Sequence, residues 1–245
     1  MIDLIDLWKS YGDNPVLRGL NLHVNEGETH VIIGRSGAGK SQILKHIMGL
    51  VRPDRGRVVV GGVDITSLSE RKLGRVRMRF GFLFQEAALF DSMTVGENVA
   101  FPLREHTNLS ESEIREKVRE KLALVRLYDV GHLMPSELSG GMRKRVGLAR
   151  AIAADPIIIL YDEPTTGLDP ITCHVIDDLI VNMKEQLGVA SVVVSHDMNG
   201  AFRIADRIAM LHRGKIIEEG TPEEIRRSTN RILIQFIEGD ANAEW

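Results

Sequence analysis

The stretch Gly34-Arg35-Ser36-Gly37-Ala38-Gly39-Lys40-Ser41 decides the fold class of this chain. It follows the short apolar run Val31-Ile32-Ile33 and leads into apolar positions at helical spacing between Ile43 and Met48. A strand, a glycine-rich loop ending in Lys-Ser, and a helix are the context of a phosphate-binding P-loop. Glycines let backbone N–H groups converge on phosphate oxygens, and the N-terminus of the helix adds a favourable dipole. We therefore predict that this loop binds the phosphates of a nucleotide.

Two side chains of the loop and two acidic residues complete the predicted phosphate chemistry. Lys40 supplies positive charge to the terminal phosphates, and the Ser41 hydroxyl is a predicted ligand of Mg²⁺. Asp162 follows the apolar run Ile157 to Tyr161, at the carboxyl end of a buried strand, where open α/β sheets bind ligands. We predict that Asp162 holds magnesium through water and that Glu163 polarises the attacking water.

Two more polar residues follow apolar runs. His196 lies just beyond Val192-Val193-Val194-Ser195, and we predict that it contacts the γ-phosphate. Gln85 follows Phe80 to Phe84, and we predict that it reaches magnesium or the attacking water. The structural alternatives are a histidine without a catalytic role and an ordinary polar strand end.

Composition limits the other function classes. The chain has 245 residues, 43% of them hydrophobic, which allows a sizeable core. Its formal net charge of −3 gives no electrostatic case for binding nucleic acid, so we predict no nucleic-acid partner. The basic run Arg143-Lys144-Arg145 is interpreted as a solvated helix face. The one cysteine, Cys173, allows no intramolecular disulfide and fits a reducing compartment.

The hydrophobic pattern places no segment in a membrane. The N-terminus lacks the basic and long apolar segments of a signal peptide, and no stretch approaches the roughly 20 apolar residues that span a bilayer. Any membrane role is therefore expected to go through a partner subunit.

Short apolar runs alternate with helical segments, which predicts an open parallel sheet whose strands are buried on both faces. The predicted strands are Val31 to Ile33, Phe80 to Phe84, Ile157 to Tyr161 and Val192 to Val194. Asp169 and Pro170 mark the start of a helix that runs to about Gln186. Two regions depart from this rhythm. The N-terminal strands, at Ile2 to Leu7, Leu20 to Val24 and Arg57 to Val60, alternate as in an antiparallel layer. The region from about Glu86 to Arg150 is mostly helical, with a capping box at Ser110 to Glu113.

A second anion-binding surface is predicted at Leu138-Ser139-Gly140-Gly141-Met142, which precedes a helix. Ser139 can cap that helix, and Gly140 and Gly141 expose backbone N–H groups. One chain thus carries two phosphate-reading surfaces, and the second is expected to serve the nucleotide of a partner chain.

With these motifs in order, the chain resembles the nucleotide-binding subunit of ATP-binding cassette (ABC) transporters over about residues 2 to 237. The matching segments are Gly34 to Ser41 for Walker A, Gln85 for the Q-loop, Ser139 to Gly141 for the signature, Ile157 to Asp162 with Glu163 for Walker B and the catalytic glutamate, Gly167 to Asp169 for the D-loop, His196 for the switch histidine, and Tyr11 for the aromatic residue that stacks on adenine.

The resemblance implies an α/β fold: a P-loop NTPase of ABC type with a RecA-like parallel-sheet core, an antiparallel β-layer and an inserted helical subdomain. The expected domain covers residues 1–240, with the helical subdomain at about 86–150 and a tail at 241–245. The resemblance also implies a head-to-tail homodimer with two ATP molecules and Mg²⁺. An integral-membrane permease is expected to dock near Ala87 to Met93, on the apolar residues Ala87 to Phe90.

Two positions depart from the family pattern. Position 42 is Gln where Thr or Ser is usual, so Gln42 is expected to meet phosphate through its backbone N–H. Met142 replaces the usual Gln of the signature. With Met142, four segments make the chain similar to the ATPases of Mla phospholipid transporters, namely Leu103 to Thr107, Leu133 to Glu137, Asp169 to Thr172 and Gln235 to Gly239.

That narrower resemblance implies phospholipid transport, an Mce-domain substrate-binding protein, a small regulatory subunit, and a peripheral location at the cytoplasmic face of the inner membrane. Three alternatives stay open. They are an ABC transporter for amino acids or other small solutes, an ABC-type ATPase acting on DNA or ribosomes, and a nucleotide-binding regulator without turnover. Glu163 and His196 disfavour the third alternative.

Overall fold

The computed structural model describes residues 1–239, so the predicted tail at 241–245 lies outside the described residues. The chain forms two compact units, one of Met1–Leu73 together with the segment that begins at Ala190, and one of Gly74–Val189. The elements in chain order are β1 (Ile2–Tyr11), β2 (Asn14–Val24), β3 (Thr29–Ile33), α1 (Lys40–Ile47), β4 (Arg55–Val60), β5 (Val63–Asp64), α2 (Glu70–Arg77), β6 (Phe80–Leu83), α3 (Val95–His106), α4 (Glu111–Leu124), α5 (Gly140–Ala151), β7 (Ile158–Asp162), α6 (Pro170–Leu187), β8 (Ala190–Ser195), α7 (Met198–Ile204), β9 (Arg207–His212), β10 (Lys215–Gly220), α8 (Pro222–Arg226) and α9 (Arg231–Glu238).

The first unit contains the predicted antiparallel layer, a four-stranded sheet in the order β2-β1-β4-β5. Strands β1 and β2 are longer than the apolar alternation indicated. Pairing continues through Trp8 with Arg18 to Tyr11 with Asn14, where the side chains are mostly exposed. This end of the hairpin is held by hydrogen bonds between the two backbones. Such bonds do not depend on the type of side chain, so the sequence shows no apolar alternation there.

The first unit also contains the predicted parallel strands. Strand β3 pairs in parallel with β8 on one side and β9 on the other, and β10 runs antiparallel to β9. Every residue of β3 and β8 is buried, as the short apolar runs predicted. Strands β9 and β10 were not assigned from the sequence, although Ile208 to Leu211 is a continuous buried run.

Helix α1 follows β3 through the phosphate loop. Three positions of its predicted apolar stripe, Ile43, Leu44 and Ile47, are fully buried, which confirms their helical spacing. The fourth, Met48, is the C-cap residue just beyond α1 and is partly buried. Burial of each such side chain stabilises the fold by roughly 1.5–3 kcal/mol. The start of the helix is thereby held at the carboxyl end of β3.

The second unit contains a parallel pair of strands, β6 and β7, in which Leu83 lies opposite Tyr161. Strand β7 is buried over Ile158 to Tyr161. The prediction that β6 has the same two-sided burial was wrong. Its residues alternate between partly exposed and buried, and the adjoining Phe84 is 45% exposed. Only the face of β6 that carries Gly81 and Leu83 is fully packed.

Helices make up the rest of the second unit. Capping boxes start α3 at Thr94 and α4 at Ser110, and the second of these was predicted. Helix α6 begins at Pro170 behind the predicted cap, Asp169. Helices α3 and α4 and most of α5 fall within the predicted insert at 86–150, but the compact unit around them is wider, because it also contains β6, β7 and α6. No helix within residues 1–239 has the length and apolar character needed to cross a membrane.

Candidate active site

The phosphate loop joins β3 to α1 in the first unit. Gly34 has φ 155° and Gly39 has φ 102°, both in the region that favours glycine. A Cβ atom on Gly34 would lie 2.5 Å from the Leu211 carbonyl oxygen of β9, and one on Gly39 would lie 2.8 Å from Val16 Cγ1. Neighbouring elements thus require glycine at both positions. The N-cap residue of α1 is Gly39, so no capping side chain covers the start of the helix.

Lys40 is held inside this loop. Its side chain is buried, and Nζ donates hydrogen bonds to the Gly34 carbonyl at 2.7 Å and the Arg35 carbonyl at 3.1 Å. The ammonium group therefore lies among the backbone groups of the loop. A fixed positive charge at a helix N-terminus is suited to bind phosphate oxygens.

Tyr11 and Gln42 are linked at the end of the antiparallel layer. Tyr11 is 48% exposed at the end of β1, and its hydroxyl donates a hydrogen bond to Gln42 Oε1 at 2.8 Å. Lys9 Nζ lies 5.4 Å from the centre of the Tyr11 ring and donates to Asp54 at 2.8 Å. The side chain of Gln42 therefore orients the aromatic residue, which the sequence did not indicate.

His196 lies at the same sheet edge as the phosphate loop. Ile33 and Ser195 are opposite each other in the parallel pair β3 and β8, so Gly34 and His196 follow the carboxyl ends of adjacent strands. The His196 side chain is exposed. The structure thus brings together the loop and the histidine that the sequence assigned to the γ-phosphate.

Gln85, Asp162 and Glu163 are brought together in the second unit. Asp162 ends β7, Glu163 follows it, and Gln85 lies two residues beyond β6, the parallel neighbour of β7. Glu163 has φ 49°, a left-handed conformation for a non-glycine residue. Its carboxylate accepts a hydrogen bond from Thr166 Oγ1 at 3.3 Å. Backbone strain of this kind is often found at functional sites.

Lys144 is buried, although the basic run around it predicted a solvated position. The interpretation of Arg143 to Arg145 as a solvated face was wrong for Lys144, which is 5% exposed. Its Nζ donates to the backbone oxygen of Gln85 and, at 3.3 Å, to that of Glu163. The spacing of Gly141, Lys144 and Leu148 is that of one helix face, and this signal could have identified its burial.

The predicted second anion surface forms the start of α5. Ser139 caps the helix and accepts a hydrogen bond from Met142 N at 3.2 Å, as predicted. A Cβ atom on Gly141 would lie 2.5 Å from Thr172 Cγ2 of α6, so close packing alone requires glycine there. Asp169 caps α6 through Thr172 N at 3.0 Å, and the hydrogen bonds from Thr172 hold the pKa of Asp169 below its usual value.

The predicted docking segment, Ala87 to Met93, borders an apolar groove of about 620 Å³ within the second unit. Aromatic residues line it, namely Phe80, Phe82, Phe84, Phe90 and Phe101. Ala87 itself is 1% exposed and packs against Gly147, so its predicted role in docking was wrong. Phe90, 42% exposed, presents the accessible apolar surface. The buried side chain of Asn98 bonds the backbone of Phe90 and Met93 and so orders the segment.

The donor atoms predicted for Mg²⁺ suit that ion. They are the hydroxyl of Ser41 in the first unit and, in the second, the amide of Gln85 and the carboxylate of Asp162. Mg²⁺ prefers oxygen ligands and uses few carboxylates when it also binds substrate phosphates. The donor types of these residues are therefore compatible with Mg²⁺.

Comparison with known proteins finds relatives that are described as transport ATP-binding proteins. The model of the ABC transporter family matches residues 17–166. The intermembrane phospholipid transport system ATP-binding protein MlaF of Haemophilus influenzae is 45% identical, over 99% of this chain and 92% of that protein. A Mycobacterium bovis protein described as the probable ribonucleotide transport ATP-binding protein mkl is 44% identical, over 97% of this chain and 66% of that protein.

A solved structure of similar fold supports the same family. A dimeric ATP-binding cassette in a post-hydrolysis state, bound to ADP and Pi, is 35% identical with a TM-score of 0.84, over 91% of this chain and 99% of that one. The family match covers more than half of the chain, and the phosphate loop lies within it. The chain therefore belongs to the ABC transporter family, as an ATP-binding subunit with the ABC-type P-loop fold that hydrolyses ATP.

Proposed function

We propose that this chain hydrolyses ATP to drive phospholipid transport between membranes, together with a separate integral-membrane permease. The observation that carries the cargo assignment is the 45% identity to a phospholipid transport ATPase over 99% of the chain. The ATPase subunit binds the nucleotide and not the cargo, so the geometry of its site concerns only the reaction. The cargo assignment therefore rests on the similarity to this relative.

The phosphate loop binds the substrate in this proposal. Backbone N–H groups from Gly34 to Gln42 hold the β- and γ-phosphates, and Lys40 neutralises charge on the terminal phosphates. The exposed ring of Tyr11 stacks on the adenine. Catalysis of phosphoryl transfer depends mostly on positioning and on stabilising charge, which these groups supply before the reaction begins.

The strand ends carry the hydrolytic residues. Glu163 orients and polarises the attacking water, and His196 contacts the γ-phosphate. Ser41, Gln85 and Asp162 would hold Mg²⁺, with Asp162 acting through water. When bound, Mg²⁺ neutralises negative charge on the phosphates.

A second copy of the chain completes each site. Ser139, Gly140 and Gly141 of one chain meet the nucleotide on the phosphate loop of the other, and Asp169 lies at the same interface. Support comes from the start of α5, a helix N-terminus suited to phosphate, and from the dimeric state of the solved relative. The result is a head-to-tail homodimer with two ATP molecules.

The permease docks a helix in the aromatic groove beside Phe90. An apolar groove of about 620 Å³ with a backbone ordered by Asn98 suits an amphipathic helix. The chain would then be peripheral at the cytoplasmic face of the inner membrane. An Mce-domain protein and a small regulatory subunit are proposed as further components of the same system.

The reaction is tested with Glu163→Gln. We expect hydrolysis to fall by about 100-fold or more while ATP binding persists, since the amide cannot polarise water. The variant should accumulate as an ATP-bound dimer in light scattering. Glu185→Gln, on the exposed surface of α6, is the matched control and should behave as wild type. A Glu163→Gln variant that stays monomeric in ATP and hydrolyses normally would contradict the proposed role.

The cargo is tested separately. The complex purified with its permease should carry phospholipid and should move labelled phospholipid between vesicles only when ATP is present. Amino acids and ribonucleotides are the competing cargoes, the second because of the similarity to the Mycobacterium bovis protein. ATP-driven uptake of either solute by a complex that contains no lipid would reject phospholipid transport.

A further inference from the structure

Helix α5, which starts at the signature residues, carries a buried cation that bonds two strand ends. Lys144 Nζ donates to the carbonyl oxygens of Gln85 and Glu163. These two residues follow the adjacent parallel strands β6 and β7. An ammonium group has three donors on a flexible stem, so one lysine can bond both backbones at once.

Burial of the charged group of Lys144 is unfavourable in itself. Desolvation lowers its pKa from the usual value, and the nearby carboxylates of Glu86, Asp162 and Glu163 oppose that shift. A methionine or leucine could fill the same space without that cost. The cost is offset by the two carbonyl acceptors, which assigns the lysine a role in holding those carbonyls.

Arg150 acts on the same loop from the other end of α5. Its guanidinium donates to the carbonyl oxygens of Ala87 and Ala88, each at 2.7 Å, and lies 5.8 Å from the centre of the Phe90 ring. Ala87 has φ 59° and Ala88 has φ 48°. Residues in this region cost of order 1 kcal/mol or more and persist only where neighbouring groups hold them. The loop from Gln85 to Ala88 is thus bonded by one helix at both of its ends.

We propose that Lys144 is a positioning residue that holds Gln85 and Glu163 in fixed relation, and that with Arg150 it makes α5 the element linking the docking segment to the catalytic glutamate. The inference rests on the function proposed above, which assigns Gln85, Glu163 and the docking segment their roles. Packed helices and hydrogen-bond networks of this kind can transmit a displacement between two sites.

The test compares three substitutions at Lys144 in the full chain. Lys144→Met keeps the length of the side chain but cannot donate, Lys144→Arg keeps the charge and donors, and Lys144→Gln keeps shorter neutral donors. We expect Lys144→Met to lower kcat by about ten-fold or more with its Kd for ATP unchanged within about two-fold, since Lys144 bonds two carbonyls outside the phosphate loop. Lys144→Arg should recover most of the loss.

Hydrogen exchange supplies a readout that activity alone does not. Amides in residues 83–88 and 163–166 should exchange about ten-fold faster or more in Lys144→Met, in both segments together, because one side chain holds both. Arg145→Met is the matched control, since Arg145 lies on the same helix and donates to a carbonyl, that of Arg126, outside these segments. It should change neither kcat nor exchange in the two segments.

Three results would overturn the inference. The first is a Lys144→Met variant with normal kcat and normal exchange. The second is a loss of kcat that comes with equal losses of ATP binding and thermal stability, which describes a merely structural lysine. The third is no recovery in Lys144→Arg. Should Lys144→Met fail to fold, Lys144→Gln replaces it in the same comparison. We then expect a kcat between those of the wild type and an inactive variant, and a wild-type kcat would contradict the inference. Normal hydrolysis by Glu163→Gln would reject the role of Glu163, while exchange in 83–88 would still report on Lys144.

Discussion

Gln42, which departs from the family pattern, has a hydrogen-bond partner in the folded chain. The family usually has Thr or Ser at this position, and both have shorter side chains than Gln. Gln42 Oε1 accepts the Tyr11 hydrogen bond at 2.8 Å. The longer side chain thus connects the first turn of α1 to the aromatic residue proposed to stack on adenine.

Loss of this bond should weaken binding of the base and leave binding of the phosphates intact. Gln42→Met keeps the size of the side chain and removes the acceptor, so ATP affinity should fall about 2- to 10-fold, the value of one hydrogen bond. Affinity for inorganic tripolyphosphate should not change. Fluorescence titration with both ligands measures the difference.

Tyr11→Phe removes the other partner of the same bond and gives the internal control. The double variant should lose no more affinity than either single variant, because both changes delete one interaction. Additive losses, or an equal loss for tripolyphosphate, would show that Gln42 acts on the phosphates instead.

At the scale of elements, the contact between β6 and α5 sets the geometry of the second unit's strand ends. Gly81 of β6 lies directly against the last turn of α5. A Cβ atom there would be 2.4 Å from the Ala151 carbonyl oxygen and 3.3 Å from Pro156 Cγ. The close approach brings α5 near the end of β6, and the side chain of Lys144 on α5 bonds the Gln85 carbonyl.

Gly81→Ala should therefore destabilise the protein by about 1–3 kcal/mol, the cost of overpacking against backbone that cannot move aside. Urea unfolding measures this loss. Gly74→Ala is the matched control, because Gly74 is an exposed residue of α2 with open space at its Cβ position. Alanine there should stabilise by about 0.5–1 kcal/mol through helix propensity. A Gly81→Ala variant as stable as wild type would contradict the packing account.

At the scale of the whole molecule, the chain carries two helix starts that we propose bind phosphate. One is α1 behind the phosphate loop, in the first unit, and the other is α5 behind Ser139, in the second unit. The proposed homodimer uses both for each nucleotide. Two-fold symmetric pairing of two identical chains produces two equivalent sites.

A mixed dimer of Lys40→Ala and Ser139→Phe chains distinguishes pairing between chains from pairing within one chain. If each site combines the loop of one chain with the Ser139 of the other, one site is wholly wild type and the other carries both changes. We expect roughly half of the wild-type single-turnover hydrolysis from this dimer, since one of two equivalent sites is intact.

Each homodimer of a single variant should be nearly inactive in the same assay. Pairing within one chain would put one change in each site, so a mixed dimer no more active than either homodimer would reject the proposed arrangement. Activity at both sites would also reject it.

The sequence by itself determined the phosphate loop, the buried strands around it, the caps at Ser110, Ser139 and Asp169, and membership of the family. These features depend on residue spacing, apolar periodicity and short-range hydrogen bonds. All three involve residues that are close together in the sequence.

Only the tertiary structure decided which partners the long side chains bond. Lys144 and Gln85 are 59 residues apart, and Tyr11 and Gln42 are 31 apart. The spacing of Lys144 on one face of α5 could have indicated that it is buried, but that spacing does not indicate which carbonyl oxygens it bonds. Its environment is set by the packing of α5 against β6, where Gly81 allows the close approach, and no local spacing encodes that contact.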